Sequence, residues 1–296
     1  MLLKTIFRST RPSFLVLSPI CVFLGLSTSL ATQSQVNLFI FFLIVIGALS
    51  AHISVNMLNE YFDFKSGLDL KTKKTAFSGG SGALPDHPKM ADTILIIGLV
   101  FLIATIVIGI YLIVERGFQI LPIGIVGVVL IITYTQWLNR FPLLCLIAPG
   151  LGFGVLMVVG THIIFTEGHS NLPWLVSLVP FFLINNLLLL NQYPDIKADA
   201  SVGRNTFPIA FGLSKSNFVY TLFLMAAYLP ILIYIVNGYI PKLSIIAIIP
   251  IIFSLYAIHG ANKYTSRISD FPQYLGANVA AAILTPLLLG VSIMIA

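Results

Sequence analysis

Charge is what this sequence lacks. Sixteen Lys and Arg and ten Asp and Glu are all it carries in 296 residues, while 58% of the chain is hydrophobic. A soluble domain of this length needs a charged surface, and there is not enough charge here to build one. Only two cysteines are present, Cys21 and Cys145, both in or beside apolar runs with no ligand spacing around either, and both read as packing residues. No repeat at a fixed period and no soluble domain stand out, and a single membrane domain over 1–296 is expected.

What the chain has in abundance is long apolar runs. Nine are read, at roughly 13–31, 37–58, 92–113, 119–138, 143–165, 173–193, 217–237, 243–261 and 275–295. Each is near the ~20 residues that a helix needs to cross hydrocarbon. They are continuously apolar instead of alternating with period two, which excludes a barrel and gives an all-α membrane protein of nine transmembrane helices. Lys4, Arg8 and Arg11 before the first run, with Ser29-Leu30-Ala31 near its end, also resemble a signal peptide. The run is longer than a signal core, so a retained span is expected.

The basic residues set the orientation. With the N-terminus in the cytoplasm, fourteen of the sixteen Lys and Arg fall on the inside, and only Arg116 and Lys242 fall outside. The net charge of +6 is therefore a topology signal and implies no nucleic-acid partner. The cytoplasmic (inner) membrane is the expected location.

Half of the ten acidic residues gather in two places on that inner side. In the second run His52, Asn56, Asn59 and Asp63 are spaced +4, +3 and +4, which puts them on one helical face, with Glu60 beside them. Gly67 is expected to break the helix before Asp69. In the sixth run Asn191, Asp195 and Asp199 stand at i, i+4 and i+8, with Pro194 a source of a kink. Carboxylates gathered at a membrane boundary repel unless a cation lies between them. Oxygen donors with little His or Cys nearby suit Mg²⁺, which bridges to phosphate, and Lys71, Lys73, Lys74 and Arg204 add positive charge for the rest of a diphosphate. A diphosphate with a hydrocarbon tail matches both the clusters and the membrane. The plainer alternative is two solvated helix ends with capping Asn and Asp.

These residues resemble the UbiA superfamily of intramembrane prenyltransferases. Asn59-Glu60-Tyr61-Phe62-Asp63 is similar to the first family motif, and the wider run from Asn56 to Asp69 is similar to its menaquinone branch. Asp195, Asp199, Gly203, Arg204 and Thr206 match the second motif, and Arg11-Pro12 also resembles that branch. The resemblance implies a fold of nine helices around a central cavity and Mg²⁺ as cofactor. It implies a polyprenyl diphosphate and an aromatic acceptor as partners beside membrane lipid. It also implies Asn59, Asp63, Asp195 and Asp199 as catalytic and, with Asp69, metal-binding residues. Asn56, Tyr134, Lys71, Lys73 and Arg204 would contact the diphosphate, with Asn56, Glu60 and Asp69 behind the metals.

The acceptor it implies is 1,4-dihydroxy-2-naphthoate, with 4-hydroxybenzoate as the alternative. Two departures bear on that choice: Asn139 stands where the family has a basic residue before Arg140, and the Glu expected after Leu151-Gly152 is missing. Three weaker features remain open. Ser78–Gly82 reads as a phosphate nest or as a flexible loop. His52 reads as a proton acceptor or as a structural histidine. Tyr61, Tyr134 and Tyr193 read as an aromatic belt or as groups near a cation. An ion-coupled transporter is the competing class, but no charge occupies the middle of a span.

Overall fold

The computed structural model describes residues 2–32, 35–72, 74–75, 77–166 and 170–296. Lys73, one of the expected diphosphate contacts, lies outside the described residues. All regular structure among the described residues is helical. A short amphipathic helix, α1 (Leu2–Ser9), precedes the first span, α2 (Pro12–Ala31). Then follow α3 (Leu38–Lys65), α4 (Pro88–Arg116), α5 (Phe118–Thr133), α6 (Pro142–Phe165) and α7 (Leu172–Asn191). The short α8 (Ile196–Ser201) leads to α9 (Phe207–Val236), α10 (Lys242–Asp270) and α11 (Pro272–Met294). The protein is an integral multi-pass membrane protein. Eight of the nine expected spans are long and apolar enough to cross, and the fourth, α5, is a shorter apolar helix.

Local chemistry sets many helix boundaries. Proline stands in the first turn of α2, α4, α6, α7, α9 and α11, where the missing N–H has no helical acceptor anyway. Asn37 caps α3 by accepting from the Ile40 amide at 3.2 Å. The 28 residues of α3 span about 42 Å at 1.5 Å per residue, so its last turns outrun a ~30 Å hydrocarbon core. Gly67, at φ 76°, then stops it as expected.

Spans adjacent in sequence pack side by side from α2 round to α11, and α11 packs back on α2, closing the ring. The two halves of that ring differ. Residues of α2, α6, α7, α9, α10 and α11 form the largest buried core, which includes Val176, Leu187, Tyr220, Ile231 and Leu275. Polar side chains tie this solid half together: Asn186 Nδ2 donates to Tyr220 O at 2.9 Å, Tyr220 OH to Asn278 Oδ1 at 2.8 Å, and Asn278 Nδ2 to Asn186 O at 3.0 Å. Such bonds join helices where hydrocarbon offers no other partner. The other half, from α2 to α7, surrounds a cavity of about 680 Å³.

One wall of the cavity carries the departure noted at Leu151-Gly152. After Pro149 the backbone of α6 widens into a π-helical stretch, Leu151–Met157. A Cβ on Gly150 would lie 2.3 Å from Phe181 O, and one on Gly154 would lie 2.4 Å from Phe181 N. The glycines let α6 press against α7, where Asn185 Oδ1 accepts from the Gly150 amide at 2.6 Å. Phe153, Leu156 and Met157 from the same stretch face the cavity.

Candidate active site

The cavity is apolar at one end and acidic at the other. Ile106, Ile110, Ile125, Val129 and Leu156 line the apolar part, and Asn56, Asn59, Asp63, Asp69, Asp195 and Asp199 line the acidic part. The stripe on α3 is intact, for His52, Asn56, Asn59 and Asp63 all reach the cavity. Asn56 Nδ2 donates to Thr10 O at 2.9 Å, which ties the stripe to the chain before α2.

Glu60 lies off that stripe and does something else. It is fully buried, accepts from the Ser81 and Ala83 amides at 3.2 and 3.3 Å and from the Ser81 hydroxyl, and lies 3.6 Å from Arg11. It holds a loop that lies against Asp69 and Asp195. That loop is Ser78–Gly82. Gly79 N donates to Asp195 Oδ2 at 3.0 Å, and Gly80, at φ 73°, lies so close to Asp69 that a Cβ would sit 2.7 Å from Oδ1. The amides of Gly79 and Ser81 are thus engaged by carboxylates, which answers the nest reading for those two donors.

The second cluster reaches the cavity by a route the spacing did not foresee. The helix α7 ends at Asn191, a turn holding Pro194 follows, and Asp195 becomes the residue before α8. Asn191, Asp195 and Asp199 nevertheless all line the cavity. Arg204 joins the two clusters, with one guanidinium nitrogen donating to Asp63 Oδ1 and the other to Asp199 Oδ1, the latter at 3.1 Å.

Burial and crowding raise the carboxyls outside the spans. Asp69 is pushed up to about 8 by burial and by the negative charge of Glu60 and Asp63. Asp195 rises to about 7 through burial and its neighbour Asp199. Asp199 rises to about 6 through burial, against the pull of Arg204. These are groups short of positive charge.

Several expected contacts fall elsewhere. Lys71 is exposed, donates to Ser201 Oγ at 3.2 Å and does not line the cavity. Lys74 donates to Ser81 O. Tyr134 and Asn139 both line the cavity, whereas Tyr193 is buried and donates to Asn217 Oδ1 at 2.7 Å. His52 lines it too, with Nδ1 2.9 Å from Ser18 Oγ. Arg11, expected only as a topology signal and part of the Arg11-Pro12 resemblance, lines the cavity beside the carboxylates. The only signal was a cation just ahead of the first span.

Oxygen donors are available for a hard cation. Among the described residues, Asn59 Oδ1, Asp69 Oδ2, Asn191 Oδ1 and Thr206 Oγ1 are buried without a hydrogen-bond partner, and all four residues line the cavity. No three acidic, His or Cys groups among the described residues form a ready cage. A cation held by the donors present would take its remaining oxygens from water and phosphate, as Mg²⁺ does.

Comparison with known proteins is consistent with this geometry. The model of the UbiA prenyltransferase family matches residues 18–283. The 1,4-dihydroxy-2-naphthoate octaprenyltransferase of Bacillus subtilis (strain 168) is 31% identical over 217 residues, which are 71% of this chain and 66% of that protein. The chain thus spans about two thirds of that relative's length. The enzyme of the same name from Haemophilus influenzae is 26% identical over 76% of this chain and 75% of its own. In fold the chain is similar to a UbiA homolog from Archaeoglobus fulgidus bound to GPP and Mg²⁺, with a TM-score of 0.67, 13% identity, and coverage of 98% of this chain and 99% of that one.

Proposed function

The chain belongs to the UbiA family of prenyltransferases, and from that premise we propose that it moves a polyprenyl group from its diphosphate to an aromatic acid in the membrane. Family membership removes the transporter alternative. The observation that carries the proposal is the cavity itself, acidic at the end where the two motifs meet and lined by hydrocarbon beyond. The acidic end receives the diphosphate and the apolar end the prenyl chain. The motif-bearing loops face the cytoplasm on this reading, as the placement of Lys and Arg supports.

In this proposal Asn59, Asp63, Asp69, Asp195 and Asp199 hold Mg²⁺, supported by their shared position on the cavity and by the unpartnered oxygens of Asn59 and Asp69. Mg²⁺, when bound, supplies charge that offsets the negative charge growing on the departing diphosphate. Arg204, held by Asp63 and Asp199, keeps its remaining N–H donors for phosphate oxygens. Asn56 and Tyr134 line the same end. Lys73 stays an expected contact, while the position of Lys71 outside the cavity argues against Lys71.

The bond between the allylic carbon and the diphosphate oxygen breaks with its electron pair on the oxygen. A ring carbon of the acceptor supplies the electrons of the new carbon–carbon bond. With a dihydroxynaphthoate-like acceptor that carbon carries the carboxylate, so carbon dioxide leaves and its bonding pair returns to the ring. No strong general base is then needed. The apolar walls keep water from the allylic cation.

The test offers the purified protein Mg²⁺, geranyl diphosphate and one acid at a time, either 1,4-dihydroxy-2-naphthoate or 4-hydroxybenzoate. Release of pyrophosphate with carbon dioxide from the naphthoate alone is the expected outcome. Prenylation of hydroxybenzoate alone, with its carboxylate retained, refutes the acceptor and leaves prenyl transfer standing.

A further inference from the structure

On the outside of the solid half, away from the cavity, two lysines have no carboxylate partner among the described residues. Between residues 200 and 269 the chain has no Asp or Glu, yet it has Arg204, Lys215, Lys242, Lys263 and Arg267. Arg204 and Arg267 are paired, with Asp199 at 3.1 Å and with Asp270 at 3.5 Å. Lys215 and Lys263 are exposed and rest over rings instead. Lys215 Nζ lies 5.8 Å from the centre of the Phe211 ring, and Lys263 Nζ lies 5.2 Å from that of Tyr264. A ring face attracts an ammonium group without neutralising it, so both charges stay open to an anion.

Both lysines stand at the end of the membrane that holds the two motifs. Helix α9 starts directly after Thr206, and Gly212, at φ 80°, kinks it so that its long straight part begins just before Lys215. Helix α10 packs beside it, and Asn217 Nδ2 donates to Asn262 Oδ1 at 2.7 Å, two residues from Lys215 and one from Lys263. From the lysines toward the membrane interior each helix exposes an apolar stripe at helical spacing. The stripes are Phe218, Leu222 and Met225 on α9 and Tyr256, Leu255 and Ile252 on α10. These six are 44% to 70% exposed, so hydrocarbon from outside the chain must cover them.

This face is cationic at its end and apolar along its length, with the asparagine bridge between the two helices. A soluble anion matches only the first feature, and a neutral lipid only the second. We propose that the paired ends of α9 and α10 bind an anionic phospholipid, its phosphate between Lys215 and Lys263 and its acyl chains along the two stripes. Each lysine at a membrane surface favours an anionic lipid modestly, and two on one face with no acid nearby add their effects. Elsewhere at this end of the membrane Arg8, Arg11 and Lys65 are answered by Asp86, Glu60 and Asp92, which leaves less charge for a lipid.

The probes are dioleoyl phosphatidylglycerol and dioleoyl phosphatidylcholine, which share acyl chains and differ in net charge. The purified full chain is given equal amounts of both in detergent, and native mass spectrometry reads which lipid it retains. The wild type should keep the anionic lipid about twentyfold over the zwitterionic one, the scale of two surface lysines. Lys215→Gln and Lys263→Gln should each cut that preference about fivefold, and the double variant should abolish it. Lys215→Arg and Lys263→Arg, which keep the charge, should retain it. Phe218→Ala combined with Tyr256→Ala should weaken both lipids alike. Lys242→Gln, at the other end of α10, should change nothing. An unchanged preference in the double variant overturns the proposal. So does an equal loss in Lys242→Gln, which would make the effect a general one of basic residues. Displacement of the phospholipid by excess inorganic phosphate would make the lysines a site for a free anion, and a dimer without bound lipid would give the face to a second copy of the chain; either result overturns it. The replaced side chains are exposed, and a melting temperature checks folding; should the double variant not fold, the two single variants decide.

Discussion

Replacing Arg204 with Gln tests the junction between the two motifs. Its guanidinium is only 19% exposed and bonds Asp63 and Asp199, whose side chains are 11% and 5% exposed. These two pairs join the end of α3 to α8 across the mouth of the cavity. Removing one partner from a buried ion pair costs about 3–5 kcal/mol, because the remaining charge keeps its desolvation penalty. Here two carboxylates lose their partner at once, so the upper part of that range applies in the absence of metal. Mg²⁺ should then stabilise the variant more than the wild type, since the freed carboxylates accept the cation. Arg204→Lys should fall between, keeping charge without the fork. Cys21 and Cys145 are both buried and free, so a thiol-reactive fluorophore reports unfolding directly. If Arg204→Gln melts at the wild-type temperature without Mg²⁺, the guanidinium is not what holds the clusters together.

Asp63→Asn and Asp195→Asn should each reduce transfer below detection while leaving insertion and folding intact, and Asp92→Asn should be neutral, its side chain being 82% exposed; full activity in either motif variant contradicts a shared metal site. The acidity of the site also predicts a pH dependence. Burial and neighbouring carboxylates push Asp69, Asp195 and Asp199 up to about 8, about 7 and about 6 in the folded chain, above the ordinary carboxyl value of about 3.9. Their folded pKa values are raised, so the stability they contribute is fully present below about pH 4 and is lost as pH rises through 6 to 8. Without Mg²⁺ the melting temperature should fall from pH 5.5 to 8, and Mg²⁺ should flatten that slope; a rising profile in metal-free buffer would show the carboxyls are not crowded as described.

How much of this was legible in the sequence varied with the physics involved. The spans were legible because a bilayer demands long apolar helices, and the α3 stripe because one unbroken helix carries His52 to Asp63. The second cluster was placed correctly for the wrong local reason. Pro194 ends the helical phase that i, i+4, i+8 assumed, and the chain returns Asp195 and Asp199 to the cavity through α8. Glu60 was read as standing beside the stripe, but its bonds to the Ser81 and Ala83 amides were not legible, because they come from a loop distant in sequence. Which half of the ring would be hollow could not be read at all. In a membrane the faces toward lipid and toward protein are equally apolar, so α4 and α5 carry no polar stripe to mark the cavity wall they form.

The fourth span is short for a crossing, yet the contacts between the two motifs require that it cross. At 16 residues α5 is about 24 Å long, short of a ~30 Å hydrocarbon core. Such a deficit costs only fractions of a kcal/mol per ångström and is met by local thinning of the bilayer. The alternative, a helix that turns back, would move Arg140 to the side of Arg116 and reverse everything after it. Asp195, Asp199 and Arg204 would then lie across the membrane from Asp63. The bonds from Arg204 to both Asp63 and Asp199 forbid that separation. We therefore expect nine crossings, with the N-terminus inside and a reporter fused after Ala296 on the non-cytoplasmic side. A cytoplasmic signal from that reporter, with one from a second reporter placed before Lys4, would mean an even number of crossings and would exclude the nine-span ring.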